Sequence, residues 1–207
     1  MLNALSRFFL IFIFVFSSLS CASHSRTGKY YNVGESRVNP IIRVSIDKEY
    51  SIEHRTLIQK AFDAWEKATT HKLQFVLIWD VPKPGRYHLF SKPKENAGIF
   101  FWNLPKTSYH IPQESIEEWR SYYGVMVYGR GENSGNIIVF KEIDMEKFYP
   151  VVLHEVGHLI GLNHIKAKSV MHPSAIFGCI SPLDANQVCE LYKCIPRPEC
   201  DQNGEPL

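Results

Sequence analysis

His154-Glu155-Val156-Gly157-His158-Leu159-Ile160-Gly161-Leu162-Asn163-His164 decides the reading of this chain. Histidines four apart on a helix project from one face, about 5–6 Å apart at Cβ. Two imidazoles at that spacing can each place a nitrogen about 2.0–2.1 Å from a shared zinc ion. Glu155, one residue on, is rotated by a little over a quarter turn. It therefore stands beside the metal and reaches a bound water without ligating. Gly161 breaks the helix, because glycine takes the left-handed conformation without steric cost. The chain then turns back, and His164 arrives as the third ligand from another direction. Three histidines leave a fourth position for water, as in catalytic zinc sites; a structural zinc is more often closed by four protein ligands. With five fixed positions, three of them histidine, chance occurrence at any one start is rarer than about one in a million.

Outward from this motif comes Ser169-Val170-Met171-His172-Pro173, with Met171 seven residues after His164. A lone methionine in a loop usually means packing. After a zinc motif it resembles the Met-turn that runs beneath the metal in metzincins. The chain is similar to the matrixin (matrix metalloprotease) branch of that group from Asn39 to Lys193. Ala61-Phe62-Asp63-Ala64-Trp65-Glu66 resembles the A-F-x-x-W of matrixin catalytic domains, and Leu183–Tyr192 resembles their closing helix. The resemblance implies an α+β, metzincin-like catalytic domain. Its parts would be a twisted mixed five-stranded sheet, about three helices and a zinc site on the active-site helix. It also implies that Val125–Tyr128 is an edge strand able to pair with an extended peptide. Val127, Tyr128 and Pro173 are then the substrate-binding candidates, and Met171 the Met-turn residue.

Departures from the family pattern are informative. Met126 and Ile138 stand where many matrixins carry histidines for a second, structural zinc, so one catalytic ion is expected. Calcium is allowed for but not placed. Ala22–Pro40 contains no cysteine to serve as a latency latch. The pocket wall Pro-x-Tyr is half kept, as Pro173-Ser174-Ala175.

The expected activity is zinc-dependent endopeptidase chemistry. Zinc lowers the pKa of its bound water toward about 7 and polarises the scissile carbonyl. Glu155 serves as general base, then passes the proton to the leaving amine. Because the histidines bind metal in their neutral form, activity is expected to fall in acid. A reading from another class is an exported, zinc-bound binding or adhesion module that does not cleave. Hydrolysis of a non-peptide amide or ester is a third.

The N-terminus reads as a targeting segment over residues 1–20. Arg7 is followed by the unbroken apolar run Phe8–Phe16. That run is well short of the ~20 residues that span a bilayer and suits a signal-peptide core. Ser18-Leu19-Ser20-Cys21 partly resembles a bacterial lipobox, which makes Cys21 a lipidation candidate; cleavage after Ala22 is the alternative. The product is exported, either secreted or lipid-anchored in the cell envelope. Residues 21–38 form a polar tether, and residues 39–207 the catalytic domain with a Cys-rich tail.

The chain has 207 residues, 45% hydrophobic and 21% charged, which suits one domain with a proper core. A formal net charge of +2 gives no warrant for a nucleic-acid partner or a strongly attracting membrane patch. The partner expected is a protein or peptide substrate, met by a monomer, with a membrane touched only through a lipid anchor. Beyond Cys21, the cysteines are Cys179, Cys189, Cys194 and Cys200. Four in an exported chain read as two disulfides, with three pairings open.

Periodicity places strands at Ile41–Ile46, Leu73–Trp79, Ile99–Trp102, Val125–Tyr128 and Asn136–Phe140. A helix is expected from Ile52 to about Thr69, capped by Ser51. The motif helix is read from about Phe148 with Pro150 in its first turn, and a last helix over Asp184–Lys193. Ser115–Tyr122 is read as a helical turn, and Lys106–Gln113 as a loop.

Overall fold

The computed structural model describes residues 41–82, 99–104, 123–128, 135–174 and 177–207. The readings at residues 1–40, including Cys21, and those over Lys106–Tyr122 lie outside them, as does Ala175.

Five strands form one sheet: β1 (Ile41–Asp47), β2 (Gln74–Val81), β3 (Ile99–Leu104), β4 (Gly124–Tyr128) and β5 (Gly135–Phe140). Their order is β2-β1-β3-β5-β4. β1 pairs in parallel with β2 and β3, β3 in parallel with β5, and β4 antiparallel to β5. The sheet is therefore mixed, and β4 closes one edge. Three helices stand among the described residues: α1 (Ile52–Ala68), α2 (Met145–Leu159) and α3 (Pro182–Tyr192). This is the α+β architecture that the resemblance implied. No described helix is long and apolar enough to cross a membrane.

α1 forms where the pattern says. Ser51 caps it, its Oγ accepting the His54 N–H. Ile58, Ala61, Phe62, Trp65 and Ala68 then recur on one face, and all are buried. That face packs on β2 and β3 through Phe62, whose ring meets Phe75 at 4.8 Å and Phe101 at 6.4 Å. Trp65 extends to α2, donating its indole N–H to the Leu153 carbonyl at 2.9 Å. The bond crosses 88 residues of sequence and fixes the motif helix against α1. In β5 every residue is buried, so the strand is apolar without alternation, as expected for a strand covered on both faces.

Several strand ends shift by one or two residues from the sequence reading, and the two later helices differ more. α2 begins at Met145, with Asp144 as N-cap, so Pro150 is not in the first turn but inside the helix. Only one of Met145, Glu146 and Lys147 is apolar, so the first turn carries no periodic signal. Pro150 stays compatible with the helix at a half-buried position, at the cost of one backbone hydrogen bond. α3 begins at Pro182, not Asp184, because Ser181 is the cap; it ends at Tyr192, where Lys193 turns left-handed (φ 54°). In the sheet, Ile138 pairs with Val125, and Met126 with Ile137.

Trp65→Phe removes the donor to Leu153 while keeping an aromatic ring. Unfolding in urea should show a loss of about 1–3 kcal/mol. An unchanged midpoint would mean that the α1–α2 bond contributes nothing.

Candidate metal centre

α2 ends one turn after His154. Its C-cap is Ile160, and Gly161 follows with φ +97°. The Gly161 N–H bonds to the His158 carbonyl at 2.9 Å, and the Leu162 N–H to the Gly157 carbonyl at 3.0 Å. This paired closure is a Schellman turn, which needs a left-handed residue at the glycine position. It reverses the chain and returns His164 to the helix face it has just left.

The three histidines meet there. His164 Nε2 lies 3.2 Å from His154 Nε2 and 3.1 Å from His158 Nε2. His154 Nδ1 lies 2.7 Å from the Val170 carbonyl, and His158 Nδ1 2.9 Å from the Leu162 carbonyl. A carbonyl only accepts, so both Nδ1 atoms carry the proton and both Nε2 atoms present a lone pair. Lone pairs converging at such separations repel unless a cation lies among them. Four ligands at about 2.0–2.1 Å in a tetrahedron have edges of about 3.3–3.4 Å, close to the spacing found. The donor set therefore fits a zinc ion. Among the described residues, His154, His158 and His164 are the group identified as able to hold a metal.

Electrostatics favour the ligating form. Burial, reinforced by the neighbouring His158, lowers the His154 pKa well below the usual histidine value. Burial and then His164 push His158 down to about 4. His164, half-buried, is lowered by burial and by His172. All three are neutral at pH 7, as metal binding requires.

Glu155 is fully buried, one residue from His154. The start of β4 runs directly against it: a Cβ built on Gly124 would lie 3.0 Å from Glu155 Oε1 and 2.9 Å from Val151 Cγ1. The edge strand and the carboxylate are thus neighbours. Val127 and Tyr128 follow in β4, paired with Asn136 and Gly135. Pro173 is half-buried, two residues after Met171.

Met171 is fully buried, against Gly157. A Cβ on Gly157 would come within 2.3 Å of Met171 Sδ, so the glycine leaves the space that the thioether fills. The Ile165 N–H bonds to the Met171 carbonyl at 2.9 Å, which ties the turn to the loop carrying His164.

Sequence reasoning missed what holds this turn. Asp184, fully buried on α3, accepts from Val170 N at 3.0 Å, Ser181 N at 3.0 Å, Ser181 Oγ at 2.6 Å and the Ser169 hydroxyl. Ser169 Oγ in turn accepts the Met171 N–H at 2.9 Å. Asp184 thus fixes the Val170 peptide, whose carbonyl orients His154; such outer partners set ligand tautomer and direction. The signal available was Ser181-Pro182-Leu183-Asp184, a capping-box pattern that the structure forms. Its second use, across to Ser169, has no local signature.

No family model matches the chain, and no curated protein matches its sequence. Among solved structures, it is similar to high choriolytic enzyme 1, a hatching enzyme zinc-protease from Oryzias latipes (medaka fish). The identity is 16% and the TM-score 0.44, over 78% of this chain and 94% of that one. Myroilysin matches at 14% identity and TM-score 0.40, over 70% of this chain and 51% of its own. Archaemetzincin from Methanopyrus kandleri matches at 11% and 0.39, over 77% and 96%. The chemistry of the site rests on its own geometry.

Asp184→Ala strips four hydrogen bonds from buried partners and should cost at least about 3 kcal/mol in thermal unfolding. Asp184→Asn should cost less, since its amide oxygen can replace Oδ2 and its NH2 can face Ser169 Oγ. Equal losses in the two variants would contradict this account of the network.

Proposed function

We propose that this chain is a zinc-dependent endopeptidase of the matrixin type. It would be exported as a monomer and take an extended peptide along the β4 edge. One observation carries the reading. Three imidazole Nε2 atoms converge with metal spacing, and the residue beside His154 is a buried carboxylate against which an edge strand begins. A binding module would need the histidines but not Glu155.

In this reading His154, His158 and His164 hold zinc, which when bound acidifies a water and polarises the scissile carbonyl. Glu155 accepts the water proton on its carboxylate and delivers it to the leaving nitrogen. β4 supports the substrate backbone along the edge it forms among the described residues, at Val127 and Tyr128. Pro173, on the stretch leaving Met171, borders the cleft on the other side. Two disulfides, Cys179–Cys200 and Cys189–Cys194, accord with export through the Phe8–Phe16 segment. Cys21 is the residue that a lipid anchor would take.

Glu155→Ala should keep one zinc per chain by metal analysis and lose at least about 100-fold in kcat on a casein-like substrate. A chelator should abolish wild-type cleavage, and added zinc should restore it. Cleavage by the Ala variant at the native rate would remove Glu155 from the chemistry.

A further inference from the structure

Gly124 opens β4 and is buried. Its backbone does not call for glycine: among the described glycines, only Gly161 and Gly204 hold a positive φ. A glycine in a strand also weakens it, because it brings no side chain to pack. What this one provides is space. A Cβ built there would lie 2.9 Å from Val151 Cγ1, 3.0 Å from Glu155 Oε1 and 3.1 Å from Glu155 Cγ. All three are closer than non-bonded atoms pack at their optimum of about 3.5–4.0 Å, so something has to move.

The surroundings decide what moves. Lys147, Val151 and Glu155 stand at i, i+4 and i+8 of α2, on one stripe of the helix. The start of β4 runs along that stripe. Lys147 Nζ donates to the Tyr123 hydroxyl at 3.0 Å, and the Phe140 N–H donates to the Tyr123 carbonyl at 3.0 Å. Gly124 itself is in register with Val139 of β5. The strand is thus tied to α2 and to its neighbour in the sheet. Val151 is buried and β-branched, with one strongly preferred rotamer in a helix. Of the groups around Gly124, the Glu155 side chain alone has torsions beyond χ1 that can give.

We propose that Gly124 is a positioning residue for the catalytic carboxylate. Its missing side chain leaves the place that Glu155 Cγ and Oε1 occupy, and so fixes where the carboxylate stands beside the three histidines. The proposal rests on the peptidase reading, and Gly124 acts through Glu155.

The test compares the full mature protein with Gly124→Ala, Val151→Ala and Gly124→Ala/Val151→Ala. Zinc content, melting temperature, and kcat and KM on a casein-derived peptide are measured for each. Gly124→Ala is also made in the Glu155→Ala background, and the proteins with and without Glu155 are melted free of metal. Gly124→Ala should keep one zinc per chain, because it touches no histidine. It should lose at least about 10-fold in kcat with KM within about twofold, as expected for a displaced catalytic group. Val151→Ala alone should melt lower and keep kcat within about twofold. In the double variant the added methyl has room on the Val151 side. Gly124→Ala should then lower the melting temperature less than it does beside Val151, yet kcat should stay low. Free of metal, Gly124→Ala should lower the melting temperature less in the Glu155→Ala background than with Glu155 present.

Wild-type kcat in a folded Gly124→Ala protein would overturn the proposal. So would recovery of kcat in the double variant, which would make the loss a matter of packing against Val151. Equal melting losses with and without Glu155 would do the same. Should Gly124→Ala fail to fold, Gly124→Ala/Val151→Ala carries the comparison. If the wild type cuts no peptide, the peptidase reading fails on its own, while the metal-free melting pair still decides whether Gly124 sets the place of Glu155.

Discussion

Three converging imidazole nitrogens, two of them held 3.1–3.2 Å from the third, His164 Nε2, are a costly arrangement for a protein to keep. Each is buried or half-buried, each is neutral, and two present lone pairs toward the same point. The cost is offset only when a cation accepts those lone pairs. Much of the neighbouring structure serves to hold the rings in place against that repulsion. The Schellman turn at Gly161 returns His164, the Leu162 carbonyl fixes His158, and the Val170 carbonyl fixes His154. Behind Val170 stands Asp184, and behind α2 stands Trp65. Metal binding and folding should therefore be thermodynamically linked, with the ion stabilising a geometry that the apo chain must hold under repulsion.

The sheet brings a backbone edge to the site. β4 lies at the edge, antiparallel to β5, and it begins at a glycine that abuts Glu155. A backbone edge next to a buried carboxylate and a metal-binding triad is an arrangement suited to extended chains.

The parts of this design that were legible in sequence are local. His154, His158 and Gly161 sit within a single helix and its cap, so spacing alone places them, and Ser51 with the Ile58–Trp65 stripe announces α1. What escaped depends on distance or on context. The first turn of α2 has too few apolar residues to show a period, so periodicity alone places Pro150 in the first turn rather than inside the helix. Asp184 is legible as a helix-terminal acid, yet its bonds to Ser169 and Val170 cross 15 and 14 residues and leave no pattern. Trp65 gives no hint that its indole reaches Leu153. The four C-terminal cysteines allowed three pairings, and only the fold brings Cys179 to Cys200.

The central claim is a cation held by exactly these three side chains, and X-ray absorption at the zinc edge on the purified protein reads it directly. The account predicts one zinc per chain with three nitrogen ligands at about 2.0–2.1 Å and one oxygen. Each single His→Ala variant at 154, 158 or 164 should lower the nitrogen count or lose the ion. A sulfur ligand at about 2.3 Å, or an unchanged spectrum in any of the three variants, would contradict it.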